Sequence, residues 1–163
     1  MQPANAQEST STVEDLSALR SEHGQSKSDI TLSGNAAVLT QYVKRGFALS
    51  AERPAAQVEF DLFYKEIYYA GIFASNVNFG SGLNGQDLAS VELDYYVGFA
   101  PTVGKWSFNF ALTYDSYPGA FDPGGDFSYV EIWTGVSRNL FDDKLKLTLF
   151  NYWSPEFFAE TGP

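Results

Sequence analysis

Six carboxylates stand at spacings that can do chemistry: Glu59 and Asp61, Glu92 and Asp94, then Asp115 and Glu131. Members of the first two pairs are two residues apart, which on a strand puts both carboxylates on one face. Such groups have three uses here. Lining a water-filled passage, with Lys146 on the same set of faces, they favour cations. Alternatively they are neutralised inside the chain by Lys44 or Arg45 folding inward from a loop. Glu92 and Asp94 also have the form of an acid pair for cleaving a sugar bond, although nothing else resembles such a site.

Other motifs carry less. Gly80-Ser81-Gly82-Leu83-Asn84-Gly85 spells the glycine pattern of a dinucleotide site. That site needs a helix next, whereas a period-two strand follows, so the segment reads as a flexible loop and no cofactor is expected. Asp122-Pro123-Gly124-Gly125-Asp126 offers oxygen ligands to a hard cation but lacks the spacing of a calcium loop, so a solvated turn is expected and no metal is assigned. The chain has no Cys, and His23 is its one His. Disulfides, thiol nucleophiles, Ser-His catalysis and His-rich metal centres lose their ligands together, and an enzyme is not expected. A net charge of −10 turns the chain away from nucleic acid.

The elements that position the carboxylates are strands. From Trp106 to Asp115 the even positions are Trp106, Phe108, Phe110, Leu112 and Tyr114, while the odd ones are Ser107, Asn109, Ala111, Thr113 and Asp115. One face is apolar or aromatic and the other small or polar, which is the strand signature. Val91, Leu93, Tyr95, Val97 and Phe99 oppose Ser90, Glu92, Asp94, Tyr96 and Gly98 in the same way. Ala56 to Tyr64 sets Val58, Phe60 and Leu62 against Gln57, Glu59, Asp61 and Phe63. Similar alternation covers residues 30–42, 128–137 and 144–153. Ile67 to Val77 alternates poorly. A two-residue turn at Lys65-Glu66 would pair Tyr64 with Ile67, keep Tyr69, Phe73 and Val77 on the apolar face, and send Tyr68 to the other.

The result is an all-β chain of seven strands, each near the length that crosses a bilayer at a tilt. Their connections alternate between long (43–54, 78–88, 116–127) and short (65–66, 100–105, 138–143). That asymmetry belongs to antiparallel up-and-down transmembrane β-barrels. Aromatic residues make up 17% of the chain. On the apolar faces, Tyr42, Tyr64, Tyr69, Trp106, Tyr114 and Trp153 lie near strand ends, as an aromatic girdle would. An odd strand number and a loop-like ending at Thr161-Gly162-Pro163 lead to the expectation that C-terminal strands are missing. The domain reading is thus a leader over residues 1–29 and an incomplete barrel over 30–163. Ala4-Asn5-Ala6 has the small-x-small form of a signal-peptidase site, which fits an exported protein with a periplasmic N-terminus.

Several segments resemble the TorF family of outer-membrane porins, whose members were long labelled bacterial proteins of unknown function. They are Ser33-Gly34-Asn35, Tyr42 with Arg45-Gly46, and Pro54-Ala55-Ala56-Gln57, followed by the most specific match at Tyr69-Ala70-Gly71-Ile72-Phe73-Ala74-Ser75-Asn76-Val77. Glu92 to Gly98, Tyr117-Pro118 and Ser154-Pro155-Glu156-Phe157-Phe158 follow in order. The resemblance implies an outer-membrane barrel with a pore function in a Gram-negative bacterium, and it supplies no catalytic residues.

Three functions compete on this reading. The first is a passive outer-membrane channel for small hydrophilic solutes or ions, with a weak cation preference and membrane lipid as its surroundings. The second is a narrow barrel filled by Phe63, Tyr68, Tyr96, Trp133 and Tyr152, with a structural or adhesive role. The third is a soluble, lipocalin-like binding barrel, which would bury its apolar rings. Oligomeric state is not legible in a single chain.

Overall fold

The computed structural model describes residues 29–82, 85–121, 127–142 and 144–155. The Ala4-Asn5-Ala6 signal, the leader with His23, and the turn from Asp122 to Asp126 lie outside them. Among the described residues the chain is all β. It runs β1 (Ile30–Leu39), β2 (Val43–Lys44), β3 (Phe47–Ala48), β4 (Ala55–Tyr64), β5 (Tyr68–Asn76), β6 (Val91–Phe99), β7 (Thr102–Val103), β8 (Trp106–Ser116), β9 (Tyr129–Leu140) and β10 (Leu145–Trp153). The seven long strands form one sheet in the order β1-β4-β5-β6-β8-β9-β10, and every pairing is antiparallel. Each strand therefore lies beside its predecessor, as an up-and-down meander requires.

The alternation expected from the sequence holds along β4, where burial switches residue by residue over all ten positions. Its sign is the informative part. Glu59, Asp61, Glu92, Asp94, Asp115 and Glu131 are all buried, whereas Phe60 is 60% exposed, Val97 56% and Leu112 49%. One outward row runs through Leu62, Ala70, Val97, Leu112, Ile132 and Trp153 by direct cross-strand pairing. The next row toward the short turns carries Tyr64, Tyr68, Phe99 and Phe110, with neighbouring ring centroids 5.2–6.5 Å apart. A sheet that buries charge and exposes rings inverts the water-soluble pattern.

The expected register of β5 is off by one residue. Tyr64 pairs with Tyr68 rather than with Ile67. Lys65 and Glu66 both have positive φ, as a tight hairpin turn demands, and the Ile67 amide donates to the Tyr64 carbonyl. Ile67 is then left as an extra loop residue whose carbonyl accepts from the Ala100 amide. Because side chains alternate with period two, this single step exchanges both faces of the strand. Tyr69, Phe73 and Val77 are buried with the carboxylates, while Tyr68 is half exposed on the apolar side. Tyr69 is thus not a girdle residue. Tyr42 is not one either: it leaves the sheet after β1 and is fully buried. Tyr64, Trp106, Tyr114 and Trp153 do stand exposed on the apolar face.

Bare glycines accommodate the rings on the buried face. A Cβ on Gly98 would fall inside the ring of Tyr69, and one on Gly71 would collide with the ring of Tyr96. Phe150 lies over Gly135, 2.7 Å from where a Cβ would stand. Rings laid over glycine recover packing that a strand glycine otherwise forfeits.

Candidate functional site

The carboxylates form a patch whose layout follows from the register. One buried row runs Glu59, Phe73, Asp94, Asp115 and Tyr129 across β4, β5, β6, β8 and β9. The next runs Asp61, Gly71, Tyr96, Thr113 and Glu131. Glu92 stands opposite Ser75 one row farther toward the long connections. The acids thus gather toward the end of the sheet where the long connections are. Lys146 shares their face through its partner Asn139, but it is exposed and lies at the far end, next to the β9–β10 turn.

The connection between β1 and β4 folds onto this patch as a small hairpin. Lys44 pairs with Phe47 across a two-residue turn at Arg45-Gly46. Both turn residues have positive φ (52° and 86°), the geometry in which Gly at the second position costs least. The base is held by the Tyr42 amide donating to Ser50 Oγ at 2.8 Å and by the Ser50 hydroxyl donating to the Arg53 carbonyl at 2.6 Å. The Asn78 amide also donates to the Leu49 carbonyl, tying the segment to the connection after β5. The tip therefore presents an ammonium and a guanidinium side by side.

Both cations meet carboxylates. Lys44 Nζ donates to Asp115 Oδ2 at 2.9 Å and to Glu92 Oε1 at 3.1 Å, with Asp94 Oδ2 at 3.7 Å. Arg45 makes a two-pronged pair with Glu131 at 2.5 and 2.6 Å, and its guanidinium stacks 4.2 Å from the Tyr152 ring centroid. Burial on its own would lower the pKa of the Lys44 ammonium, but Glu92 and Asp115, with Asp94 behind them, outweigh it and hold the value well above the ordinary 10.5. Arg45 is raised in the same way, its burial overcome by the hydrogen bond and charge of Glu131. The hairpin is thus a tethered dication docked on a buried anionic patch. The internally paired reading of the acids, with Lys44 and Arg45 as partners, matches this geometry.

Neutral donors complete the patch. The Tyr96 hydroxyl lies 2.5 Å from Asp61 Oδ1 and 2.9 Å from Glu59 Oε1. The Trp133 indole N–H donates to Glu131 Oε2 at 2.8 Å, and the Tyr117 hydroxyl donates to Glu92 Oε1 at 3.1 Å. Tyr117 is in a loop, and burial first and Glu92 second push its phenol far above the ordinary value, so it remains a donor. The Tyr69 hydroxyl donates to Asn109 Oδ1 at 2.8 Å from two strands away. Sequence reading missed Tyr69, Tyr117 and Tyr129 as members of this site: Tyr69 depends on the shifted register, Tyr117 lies beyond the clean alternation, and Tyr129 shares the phase of Glu131 but carries no charge to mark it.

Elsewhere, the glycine segment around Gly80 and Gly82 carries an isolated bridge between Ser81 and Asp87, and the strand β6 follows it. Leu83 and Asn84 lie outside the described residues.

No curated protein and no solved structure matches the chain. One family model does, over residues 23–156, and its description is a bacterial protein of unknown function, Gcw_chp. This match overturns the TorF assignment read from Tyr69–Val77 and the flanking segments, and the description of the matched family names no function. The misleading segments consist of alternating rings, small residues and turns, which sheet geometry imposes whatever the sheet does. The chain is a member of the Gcw_chp family of bacterial proteins of unknown function.

Proposed function

We propose that this chain is the strand-forming part of an outer-membrane β-barrel acting as a passive channel for small hydrophilic solutes or ions, with a preference for cations. The observation that supports the reading is the inverted sheet: six buried carboxylates against outward rows of Leu, Val, Phe and Tyr. In water, so large an exposed apolar face invites association, whereas in lipid it is the face a strand must show. A lipocalin-like soluble barrel needs the opposite arrangement. The six acids outnumber Lys44 and Arg45, so the lining keeps a negative excess with the hairpin docked. On this reading the hairpin narrows the passage from the side of the long connections, and solutes pass between it and the facing wall.

A second reading is favoured by one observation. Phe63, Tyr69, Phe73 and Tyr96 are all nearly inaccessible on the polar face, and Tyr42, Tyr117 and Tyr129 are packed among the same buried groups. Rings so placed suit a narrow, side-chain-filled barrel with a structural role. Planar-bilayer conductance of the folded protein, with the reversal potential read across a salt gradient, separates the two. Discrete steps and a cation-selective reversal potential are expected. Steps without cation selectivity would remove the acids from the mechanism, and folded protein that gives no steps would sink the channel and leave the filled barrel.

A further inference from the structure

Hydrogen bonds around Lys44 do not balance. Glu92, Asp94 and Asp115 share this one ammonium, while both prongs of Arg45 go to Glu131, so three buried carboxylates have a single cation within ion-pair distance. Hydrogen bonding fails to close independently of charge. The Tyr129 phenol stands by the Asp115 carboxylate, but Glu92 Oε2 and Asp94 Oδ1 are buried without a hydrogen-bond partner. So is Thr113 Oγ1, two residues before Asp115 on the same face of β8. Glu92 and Asp115 are 0% exposed and Thr113 1%, so bulk water does not reach them. Unmet carboxylate oxygens at such depth are costly unless a cation satisfies them.

We propose that Glu92, Asp94 and Asp115 form a divalent-cation site, selective for Ca²⁺, for which the Lys44 ammonium is the built-in competitor. Each of the three residues offers an oxygen, and these lie within 4.8 Å of one another. Carboxylates able to bind through both oxygens suit the flexible six- to eight-oxygen shell of Ca²⁺ better than the rigid octahedron of Mg²⁺. Three carboxylates, each able to bind through both oxygens, take up the atoms that Lys44 leaves unmet. Lys44 Nζ already sits among the three acids at 2.9–3.7 Å, where the ion would sit. Binding therefore expels the ammonium and releases one of the two anchors of the hairpin, leaving Arg45 on Glu131. The inference rests on this cluster alone, and the test below needs no conductance.

The test uses the folded chain in detergent with Ca²⁺ as the only added ligand. Amine acylation is followed by mass spectrometry in Ca²⁺ and in chelator. Lys44 is expected to be protected in chelator and to approach the labelling rate of exposed Lys146 in Ca²⁺. In parallel, Tb³⁺ luminescence excited through the nearby tyrosines is expected to report binding that Ca²⁺ reverses and Mg²⁺ does not. Lys44→Met should tighten Ca²⁺ binding by about tenfold, and Asp94→Asn should weaken it by at least about as much. If Ca²⁺ leaves Lys44 labelling unchanged in the native chain and no reversible Tb³⁺ signal appears, the site does not exist. If Ca²⁺ binds but Lys44→Met does not tighten it, the competitor role is wrong.

Discussion

Arg45→Ala is the sharpest test of the docked hairpin. The guanidinium satisfies both oxygens of Glu131, a residue 1% exposed, and the Arg45 side chain itself is 27% exposed. Removing one member of a buried pair typically costs about 3–5 kcal/mol, because the other charge is left uncompensated. Two features place this case at the low end. Trp133 Nε1 still donates to Glu131 Oε2, and Arg45 gives up some hydration in the docked state. The lost stacking on Tyr152 adds about 0.5–1 kcal/mol. The expected loss is therefore about 3.5–4 kcal/mol, or several hundredfold in the folding equilibrium. Glu131→Gln should cost only about 1 kcal/mol, since the freed guanidinium can turn to water. R45A/E131Q should resemble E131Q alone, so the cycle shows a coupling close to the whole R45A loss, about 3.5–4 kcal/mol. Equilibrium urea unfolding in detergent micelles, followed by tryptophan fluorescence, measures all four corners. A cycle additive to within about 0.5 kcal/mol would refute the docked, two-pronged geometry.

Three further outcomes follow from the same sheet. Gly98→Ala places a methyl inside the Tyr69 ring, so the ring must swing and lose its bond to Asn109; a loss of about 1–3 kcal/mol is expected in urea unfolding, largely absent in a Tyr69→Ala background. Leu112→Lys, in the middle of the outward row, should cost about 2–4 kcal/mol in lipid vesicles and almost nothing if the face meets water, so an unchanged unfolding midpoint in vesicles would count against the membrane reading. Lys44 has a folded pKa raised above its ordinary 10.5, so its contribution is fully present below about 10.5 and is lost only as pH climbs through the raised value. In chelator at pH 9–10, acylation should therefore spare Lys44 while labelling exposed Lys105 and Lys146, and equal rates would contradict the buried ion pair.

How much of this was legible in the sequence depends on whether a strand signals its own phase. In β4, Gln57, Glu59 and Asp61 alternate with Val58, Phe60 and Leu62, so the pattern alone determines which residues face together. In β5 both phases carry apolar residues, Tyr69 and Phe73 in one and Tyr68 and Ile72 in the other, and hydrophobicity has nothing to say. The deciding feature was Ile67, one extra residue beside the turn, which period reading has no means of detecting. The same limit explains the site. The acids were visible because each sits on a cleanly alternating strand. Lys44 and Arg45 were visible only as candidate partners, because Arg45-Gly46 marks a turn without saying where its tip lands. The landing is set by the Ser50 and Asn78 contacts at the hairpin's base, and by the distance from β1 to β6, β8 and β9 across a sheet whose register comes from pairings far apart in sequence. Phase is local and tip position is not. That is why the anionic patch could be read strand by strand, whereas the unequal sharing of its countercharge, Arg45 with Glu131 and Lys44 with three acids, emerged only once the strands were assembled.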